Sequence, residues 1–266
     1  MKTLRGKRAL ITGAGSGIGR AIALELAGQG THLWLLEINE LTLESVGAEA
    51  RSCGVDVVAR RCDLSRAEEL RSAFDEVHKT WGGIDILINN AGIMYYGATE
   101  NISDQQWAEV LAINLTAPIA LTRLFLPSLL ERHDAHILNV CSIYGLVPKR
   151  RLAAYQTAKF ALVGFSQSLR LEYGPRGLGV TALCPGLVRT DLIGAAEKSG
   201  RLKNRLTLAS HLAVAPEIIA LRAVRAIQKD QGLVVVTLHA RALWLVHRCF
   251  PRLLDRWQYR KRRPRR

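Results

Sequence analysis

Short apolar runs alternate along the chain with longer segments in which apolar residues recur every three or four positions. The seven runs lie at 8–13, 32–38, 56–62, 84–90, 136–142, 179–185 and 233–237. Helical spacing occupies stretches between them, at 18–29, 65–81, 104–131, 152–173 and 216–229. Parallel strands are apolar along their length because helices cover both faces of their sheet. The pattern therefore predicts a single doubly wound α/β domain with a seven-stranded parallel sheet.

The size and cysteine content of the chain favour one intracellular domain. Its 266 residues, 48% of them hydrophobic, are enough for one substantial core. The five cysteines are scattered, without a Cys-x-x-Cys pair or a neighbouring histidine cluster, so we expect reduced thiols and no metal site. The N-terminus shows no signal peptide, and no apolar run reaches the roughly 18–20 residues of a membrane-spanning helix. These features together predict a cytoplasmic protein.

Positive charge is concentrated at the C-terminus. The formal net charge is +14, and residues 241–266 contribute +9 of it through ten Arg and Lys residues against one Asp, which leaves +5 for residues 1–240. We therefore expect a mildly basic domain over 1–239, including a substrate loop at 187–214, and a basic extension over 240–266. Polybasic segments attract anionic membranes and nucleic acid.

The first predicted strand ends in TGAGSGIG, residues 12–19. Glycine lets the backbone turn tightly and approach a pyrophosphate, and the amides at the start of the following helix point toward the anion. A glycine-rich loop is weak evidence by itself, but this one follows an N-terminal strand and opens a helix, as in a Rossmann-type domain. We therefore expect a dinucleotide to contact Gly13, Gly15, Ser16, Gly17, Ile18 and Gly19.

The second predicted strand ends in Glu37, 18 residues after the glycine loop. A carboxylate at this place accepts hydrogen bonds from the ribose diol of NAD and repels the 2′-phosphate of NADP. Neither of the next two residues is basic. The sequence predicts NAD over NADP, and NADP stays the alternative because Arg20, Arg60 and Arg61 are cations without an assigned partner.

Six short motifs follow one another along the chain: TGAGSGIG (12–19), NNAG (89–92), INLT (113–116), CSIYG (141–145), YQTAK (155–159) and PG (185–186). This set, at these intervals, resembles the short-chain dehydrogenase/reductase family in its shorter form. The resemblance covers about residues 5–237. It implies a Rossmann-type fold, a nicotinamide cofactor, interconversion of alcohols and ketones, and a homodimer or homotetramer.

Tyr155 and Lys159 are four residues apart, which places both on one face of a helix. Hydride transfer between an alcohol and a ketone needs a group that takes or gives the hydroxyl proton, and a free phenol with a pKa near 10 is almost entirely protonated at neutral pH. An ammonium group ~5 Å away, at an effective dielectric of ~20, is worth roughly 3 kcal/mol, or about two pKa units. We therefore predict that Lys159 lowers the pKa of Tyr155 and makes it the general acid/base.

The family resemblance implies roles for further residues. Ser142 would hold the substrate oxygen beside the phenol, Lys159 would also bind the nicotinamide ribose, and Asn114 would bond the backbone and a water that leads from the lysine to solvent. Cofactor contacts are implied at the ends of the third, fourth and sixth strands, from Asp63, Leu64, Asn90, Ala91, Gly92, Pro185, Gly186, Val188 and Thr190.

The substrate pocket is expected where the chain leaves the fourth and fifth strands and the PG turn. Its predicted lining is Met94, Tyr95, Ser142, Tyr144, Leu146 and Leu192, with Tyr96 and Val147 beside them. This lining is mostly aromatic and apolar, although each residue could equally pack in a lid or at a subunit contact. We predict a lipophilic secondary alcohol or ketone as the substrate, whose identity the sequence leaves open.

The C-terminal extension has the pattern of an amphipathic helix. Apolar residues recur at spacings of three and four, at Leu243, Val246, Phe250, Leu253 and Trp257. Basic residues recur every four positions, at Arg248, Arg252, Arg256 and Arg260. Peripheral contact with an anionic membrane and packing on the protein or a dimer mate suit this pattern equally, and nucleic acid suits it less well.

Three functions remain open at this point. The motifs favour an NAD-dependent alcohol dehydrogenase or ketone reductase. An NADP-dependent ketone reductase is one alternative, and a dinucleotide-sensing protein that lost the chemistry is the other. The presence of Ser142, Tyr155, Lys159 and Asn114 argues against the sensor, which has no use for a phenol paired with an ammonium group.

Overall fold

The computed structural model describes residues 1–132, 134–190 and 213–252. Seven strands form one parallel sheet: β1 Arg8–Thr12, β2 His32–Glu37, β3 Val57–Arg61, β4 Ile86–Asn89, β5 Ala135–Val140, β6 Leu178–Pro185 and β7 Leu233–Val236. Their order across the sheet is β3-β2-β1-β4-β5-β6-β7. Each strand coincides with one of the apolar runs, which confirms the predicted α/β fold.

Helices cover both faces of the sheet. In the described part of the chain they are α1 Gly17–Gly28, α2 Glu40–Arg51, α3 Ala67–Trp81, α4 Asp104–Leu111, α5 Ala117–Leu130, α6 Ala153–Tyr173, α7 Pro216–Gln228 and α8 Leu238–Cys249. α1, α2 and α7 pack on one face, whereas α3, α5 and α6 pack on the other. Helix α2 was not predicted, because its buried side combines Leu43 and Val46 with the small residues Gly47 and Ala50.

The helix predicted over 104–131 is interrupted by a π-helical turn, Ala112–Thr116, between α4 and α5. Taken together, Asp104–Leu130 is long and apolar enough to cross a membrane by length and composition, contrary to the expectation from the sequence. One such helix is weak evidence for a membrane span, since core helices share these properties. Leu121, Phe125 and Leu129 are fully buried beside the sheet, as the side chains of a core helix are.

The strand order reverses between β1 and β4. Open α/β sheets bind ligands in the crevice beyond the carboxyl ends of the strands, next to such a reversal. The glycine loop follows β1, NNAG overlaps the end of β4, and CSIYG follows β5. The fold therefore gathers the sequence motifs at one edge of the sheet.

The last described helix, α8, begins at Leu238, two residues before the predicted boundary of the extension. Thr237 precedes it with a φ of +84°, and its hydroxyl accepts a hydrogen bond from the amide of Ala240 at 3.4 Å. Ala240 is buried, and Trp244 packs beside it on a cluster formed by β6, β7, α6 and the segment after β5. The helix is thus attached to the body through this side.

The apolar stripe predicted for the extension does not face the body. Leu243, Val246 and Phe250 are exposed in the structure. The remaining two positions of the stripe, Leu253 and Trp257, lie outside the described residues.

Candidate active site

In the loop after β1, the first and last glycines, Gly13 and Gly19, lie where close packing leaves no room for a side chain. Gly13 has a φ of +63°, and a Cβ there would lie 2.8 Å from the Cα of Ala91. A Cβ on Gly19 would overlap the carbonyl oxygen of Gly13, so α1 approaches the strand end this closely only with glycine. Ile18 packs against the core beneath. The loop is thereby pressed against the NNAG segment.

The N-terminus of α1 is open to an anion. Ser16 is its N-cap but makes no side-chain capping hydrogen bond in the described structure, and the first turn contains no acidic residue. By contrast, Asn39 and Ser103 cap α2 and α4. Free amides at the positive end of a helix dipole suit the pyrophosphate of a dinucleotide. A Cβ on Gly17, in the same turn, would lie 3.0 Å from the side chain of Thr190 in the segment after β6.

The carboxylate of Glu37 is fixed beside the glycine loop. Its Oε2 accepts a hydrogen bond from the amide of Gly15 at 3.1 Å. Its Oε1 accepts from the amides of Ile38 and Asn39 at 2.8 and 3.3 Å. The negative charge therefore stands at the end of β2 and next to the loop, the position that a ribose diol would require.

The three arginines that left NADP open are engaged with carboxylates of neighbouring helices, in the pairs Arg20–Glu49, Arg60–Glu76 and Arg61–Glu69. These ion pairs direct the guanidinium groups toward α2 and α3. Asp63, after β3, accepts hydrogen bonds from the amide and hydroxyl of Ser65, which lower the pKa of its carboxyl. Leu64 packs on the core beside it.

Thr12 joins the end of β1 to the NNAG segment. Its Oγ1 accepts hydrogen bonds from the amides of Asn90 and Ala91 at 3.0 and 3.1 Å. The side-chain amide of Asn90 donates to the carbonyl oxygens of Thr12 and Gly13 at 3.0 and 2.9 Å. We predicted Asn90 and Ala91 as site residues but not Thr12, whose only signal was a hydroxyl at the start of the glycine motif.

Ser142 and Tyr155 meet beyond the end of β5. Ser142 is buried, and its Oγ accepts a hydrogen bond from the amide of Tyr144 at 3.1 Å. Tyr155 is 6% exposed, in the first turn of α6. Burial raises the pKa of Tyr155 to about 12, and a hydrogen bond with Ser142 opposes the rise. The phenol is therefore protonated at neutral pH.

Lys159 lies one turn along α6, with Nζ 5.7 Å from the centroid of the Tyr155 ring. It is 3% exposed, and Nζ donates to the carbonyl oxygen of Val140 at 2.9 Å. Burial lowers the pKa of Lys159. The expected lowering of the Tyr155 pKa is wrong for the chain by itself, because burial removes hydration from both charged forms and shifts both groups toward neutrality.

Asn114 lies fully buried in the π-helical turn between α4 and α5. Its Nδ2 donates to the carbonyl oxygens of Ile93 and Val110, both at 2.9 Å, while its Oδ1 has no partner among the described residues. A Cβ on Gly92 would lie 2.6 Å from this Oδ1 and 3.5 Å from Nζ of Lys159, so the two groups flank Gly92. A buried acceptor of this kind suits an ordered water.

The turn after β6 is held between the core and α8. A Cβ on Gly186 would lie 2.6 Å from Oγ1 of Thr237 and 2.8 Å from Nε2 of His239. Pro185 ends β6, and Val188 is buried in the core. The contact between this turn and the start of α8 joins positions about fifty residues apart, and the sequence pattern did not predict it.

One predicted wall of the substrate pocket follows β4. Met94 is half-buried. The hydroxyl of Tyr95 donates to Oε2 of Glu109 at 2.6 Å, and its ring packs beside α4 and α6. The guanidinium of Arg151 stacks over the ring of Tyr96 at 6.0 Å. These contacts fix the wall to the segment before α6.

The other predicted wall follows β5. Tyr144 and Leu146 are half-buried, and burial raises the pKa of Tyr144. Val147 is 1% exposed and belongs to the core under this wall, so its side chain packs rather than lines a pocket. Leu192 lies outside the described residues.

Comparison with known proteins identifies the family. The sequence profile described as short chain dehydrogenase matches residues 7–200. D-beta-hydroxybutyrate dehydrogenase from Cupriavidus necator is 37% identical over 190 residues, 71% of this chain and 74% of that protein. A short chain dehydrogenase/reductase from Burkholderia phymatum, solved in complex with NAD, has a TM-score of 0.84 at 27% identity and covers 96% of this chain and 97% of its own.

A short-chain dehydrogenase from Sphingobium yanoikuyae, solved in complex with NADPH, has a TM-score of 0.81 at 26% identity and covers 94% of this chain and 95% of its own. The chain belongs to the short-chain dehydrogenase/reductase family. It is accordingly an oxidoreductase that acts on CH–OH groups with a nicotinamide cofactor. Because one neighbour was solved with NAD and the other with NADPH, the fold does not decide between the two cofactors.

Proposed function

We propose that the chain is an NAD(H)-dependent oxidoreductase that interconverts a lipophilic secondary alcohol and its ketone, with Tyr155 as the general acid/base. The observation that carries the proposal is the meeting of the Ser142 and Tyr155 hydroxyls beyond β5, with Lys159 one helical turn away. The glycine loop lies at the same edge of the sheet, so a dinucleotide bound there would extend toward these residues.

Ser142 and Tyr155 would act together on the substrate oxygen, while a bound nicotinamide would supply or accept the hydride. Because its pKa is raised to about 12, Tyr155 enters ketone reduction as a phenol that can give its proton to the carbonyl oxygen. Ser142, whose hydroxyl faces Tyr155, can instead donate its hydrogen to the substrate oxygen and stabilise the charge that develops there. In alcohol oxidation Tyr155 would take the hydroxyl proton instead.

Lys159 and Asn114 would connect Tyr155 with solvent. Nζ of Lys159 donates to the carbonyl oxygen of Val140. Oδ1 of Asn114, which has no partner in the described part of the chain, lies with this Nζ beside Gly92. A water bound between them would exchange protons with the lysine. We assign Lys159 to the cofactor ribose and to this exchange, and Asn114 to holding the water.

Glu37 supports NAD over NADP. Three backbone amides hold its carboxylate beside the glycine loop, so a 2′-phosphate bound there would face a fixed negative charge. Each of the arginines Arg20, Arg60 and Arg61 is paired with a glutamate. To neutralise the charge of Glu37 or bind a 2′-phosphate, an arginine would have to break its ion pair. The ribose diol of NAD needs only the acceptor that Glu37 provides.

The half-buried Met94, Tyr144 and Leu146 support a lipophilic substrate, because they would surround the carbon chain next to Ser142. A homodimer or homotetramer in the cytoplasm stays a prediction, as does the division into a domain over 1–239 and an extension over 240–266.

The proposal is tested by turnover of a panel of hydrophobic alcohols and ketones, followed at the absorbance of the reduced nicotinamide. We expect the wild type to prefer NAD(H), and Tyr155→Phe to lose kcat by at least about 10²-fold while its affinity for NADH stays unchanged. Tyr173→Phe, at the far end of the same helix, is the matched control and should keep full activity. Activity retained by Tyr155→Phe would contradict the acid/base assignment.

A dinucleotide sensor without catalysis is the rival function. It predicts NADH binding by the wild type but no turnover anywhere in the panel. It also predicts that Tyr155→Phe behaves as the wild type in every assay.

A further inference from the structure

Helix α8 has two sides of opposite exposure. Ala240 and Trp244 attach it to the body. The opposite side, which we call the outer face of α8, is apolar and consists of Leu238, Ala242, Leu245, Val246 and Cys249, all of them exposed. Its three large residues are 84%, 51% and 44% exposed, in the order Leu238, Leu245, Val246. Neighbouring large apolar side chains exposed together on one helix face indicate a surface that contacts something else.

Cations border the outer face along one margin. Arg241 is fixed there by a hydrogen bond from its Nε to the carbonyl oxygen of Val235 at 2.8 Å. The guanidinium of Arg248 stacks on the ring of Trp244 at 5.5 Å. No acidic residue occurs between 238 and 252, and residues 253–266 add seven Arg and Lys against one Asp. The apolar face therefore has cations along one margin, and the sequence that continues from α8 is strongly basic.

We propose that α8 docks this chain on an anionic membrane surface, with its outer face among the lipid chains and its cations against the head groups. A helix whose apolar face is bordered by cations lies in the interfacial plane in this way. The charge selects lipid over a second copy of the chain, because a twofold contact through this face would bring two segments of +9 together. An anionic membrane instead complements the charge and covers the apolar side chains.

The position of α8 orients the docked protein. Its first turn touches Gly186 through Thr237 and His239, at the carboxyl edge of the sheet where the candidate active site lies. Docking would therefore bring that edge near the lipid surface. A lipophilic substrate could then pass between lipid and site without crossing water, and this last step alone rests on the proposed function.

The test is sedimentation of the full-length protein with vesicles of phosphatidylcholine, with or without phosphatidylserine. We expect binding to the anionic vesicles that weakens as salt rises. Arg248→Gln should lower partitioning about fivefold, since a basic residue near an anionic surface is worth about 1 kcal/mol. Leu245→Gln/Val246→Gln should lower it at least about tenfold by removing two inserted side chains.

The matched control is Leu41→Gln/Leu171→Gln, which changes two exposed leucines on α2 and α6 and should bind as the wild type does. NADH affinity, unchanged in all variants, reports that they are folded. The proposal is overturned if the wild type ignores phosphatidylserine vesicles, or if the outer-face variant binds as tightly as the control. A variant that falls to a smaller oligomer in sedimentation would assign the face to a second copy. Because no turnover is measured, failure here is distinct from failure of the proposed function.

Discussion

His136 is a buried titratable group at the opposite edge of the sheet from the candidate active site. Its Nε2 lies 2.8 Å from Oγ1 of Thr181, whose hydroxyl donates to the carbonyl oxygen of Gln231 at 2.6 Å. Thr181 therefore accepts from Nε2–H, and Nδ1 is the nitrogen that would titrate. Burial lowers the pKa of His136 from 6.5 to about 3, although nearby Asp230 favours the charged form. Arg170 already pairs with that carboxylate.

This shift predicts a loss of stability in acid. Between pH 6.5 and 3 the unfolded chain binds a proton at His136 and the folded chain does not, so the free energy of unfolding decreases as the pH falls through this window. Each pKa unit corresponds to about 1.4 kcal/mol. The loss from this one group is therefore about 2 kcal/mol at pH 5 and approaches about 5 kcal/mol near pH 3.

Urea unfolding of the wild type and His136→Gln at pH 7 and pH 5 measures the effect. The variant loses the hydrogen bond to Thr181 and should be the less stable protein at pH 7. Acidification to pH 5 should then cost the wild type about 2 kcal/mol more than the variant. His78→Gln removes the imidazole of an exposed histidine and is the control. Its stability should change with pH as that of the wild type does. If the free energy of unfolding fell equally with pH in the wild type and His136→Gln, His136 would not be the source of the acid sensitivity.

Two further predictions concern the cofactor site. Glu37→Ala should lower the ratio of the NADPH to the NADH dissociation constant by at least about tenfold, since it removes the charge that faces a 2′-phosphate. An unchanged ratio, or a wild type that prefers NADPH, would contradict the role given to Glu37. Gly19→Ala should lower the free energy of unfolding by about 1–3 kcal/mol and weaken NADH binding, because its Cβ would overlap the backbone of Gly13. Gly28→Ala, where a Cβ meets nothing within 4 Å, is the control, and equal melting temperatures for the two variants would argue against this packing.

Strands such as β7 (LVVV) were predictable because they are buried from both sides and therefore apolar. The edge strand β3 (VVARR) is only partly buried, and its apolar run is correspondingly short. Helix α2 was not predicted, because two of its four buried residues are small, Gly47 and Ala50, and large apolar residues therefore do not recur at helical spacing. The π-helical turn also escaped prediction. Within this turn Asn114 donates to the carbonyl oxygens of Ile93 and Val110, and the contact with Ile93, 21 residues earlier, leaves no local signal in the sequence.

The motifs predicted which residues would gather at the sheet edge, since their positions follow from where strands end. They did not predict contacts between distant segments. Gly186 against Thr237 depends on how α8 leaves β7, and the pairing of Arg20 with Glu49 depends on how α1 packs on α2. Neither geometry is encoded in local spacing.

For Tyr155 and Lys159, the spacing in the sequence predicted that the two side chains lie close together but not the direction in which their pKa values shift. Four residues on a helix predict the approach of the two groups, and Nζ lies 5.7 Å from the ring. The sign of the pKa change depends instead on the hydration that each group loses, which β5 and the neighbouring helices determine by covering both side chains. Burial outweighs the hydrogen bond with Ser142, which lowers the pKa of Tyr155, and holds the phenol as an acid. The base form that alcohol oxidation requires therefore needs a further cation near the phenol, which under the proposed function is the oxidised nicotinamide ring.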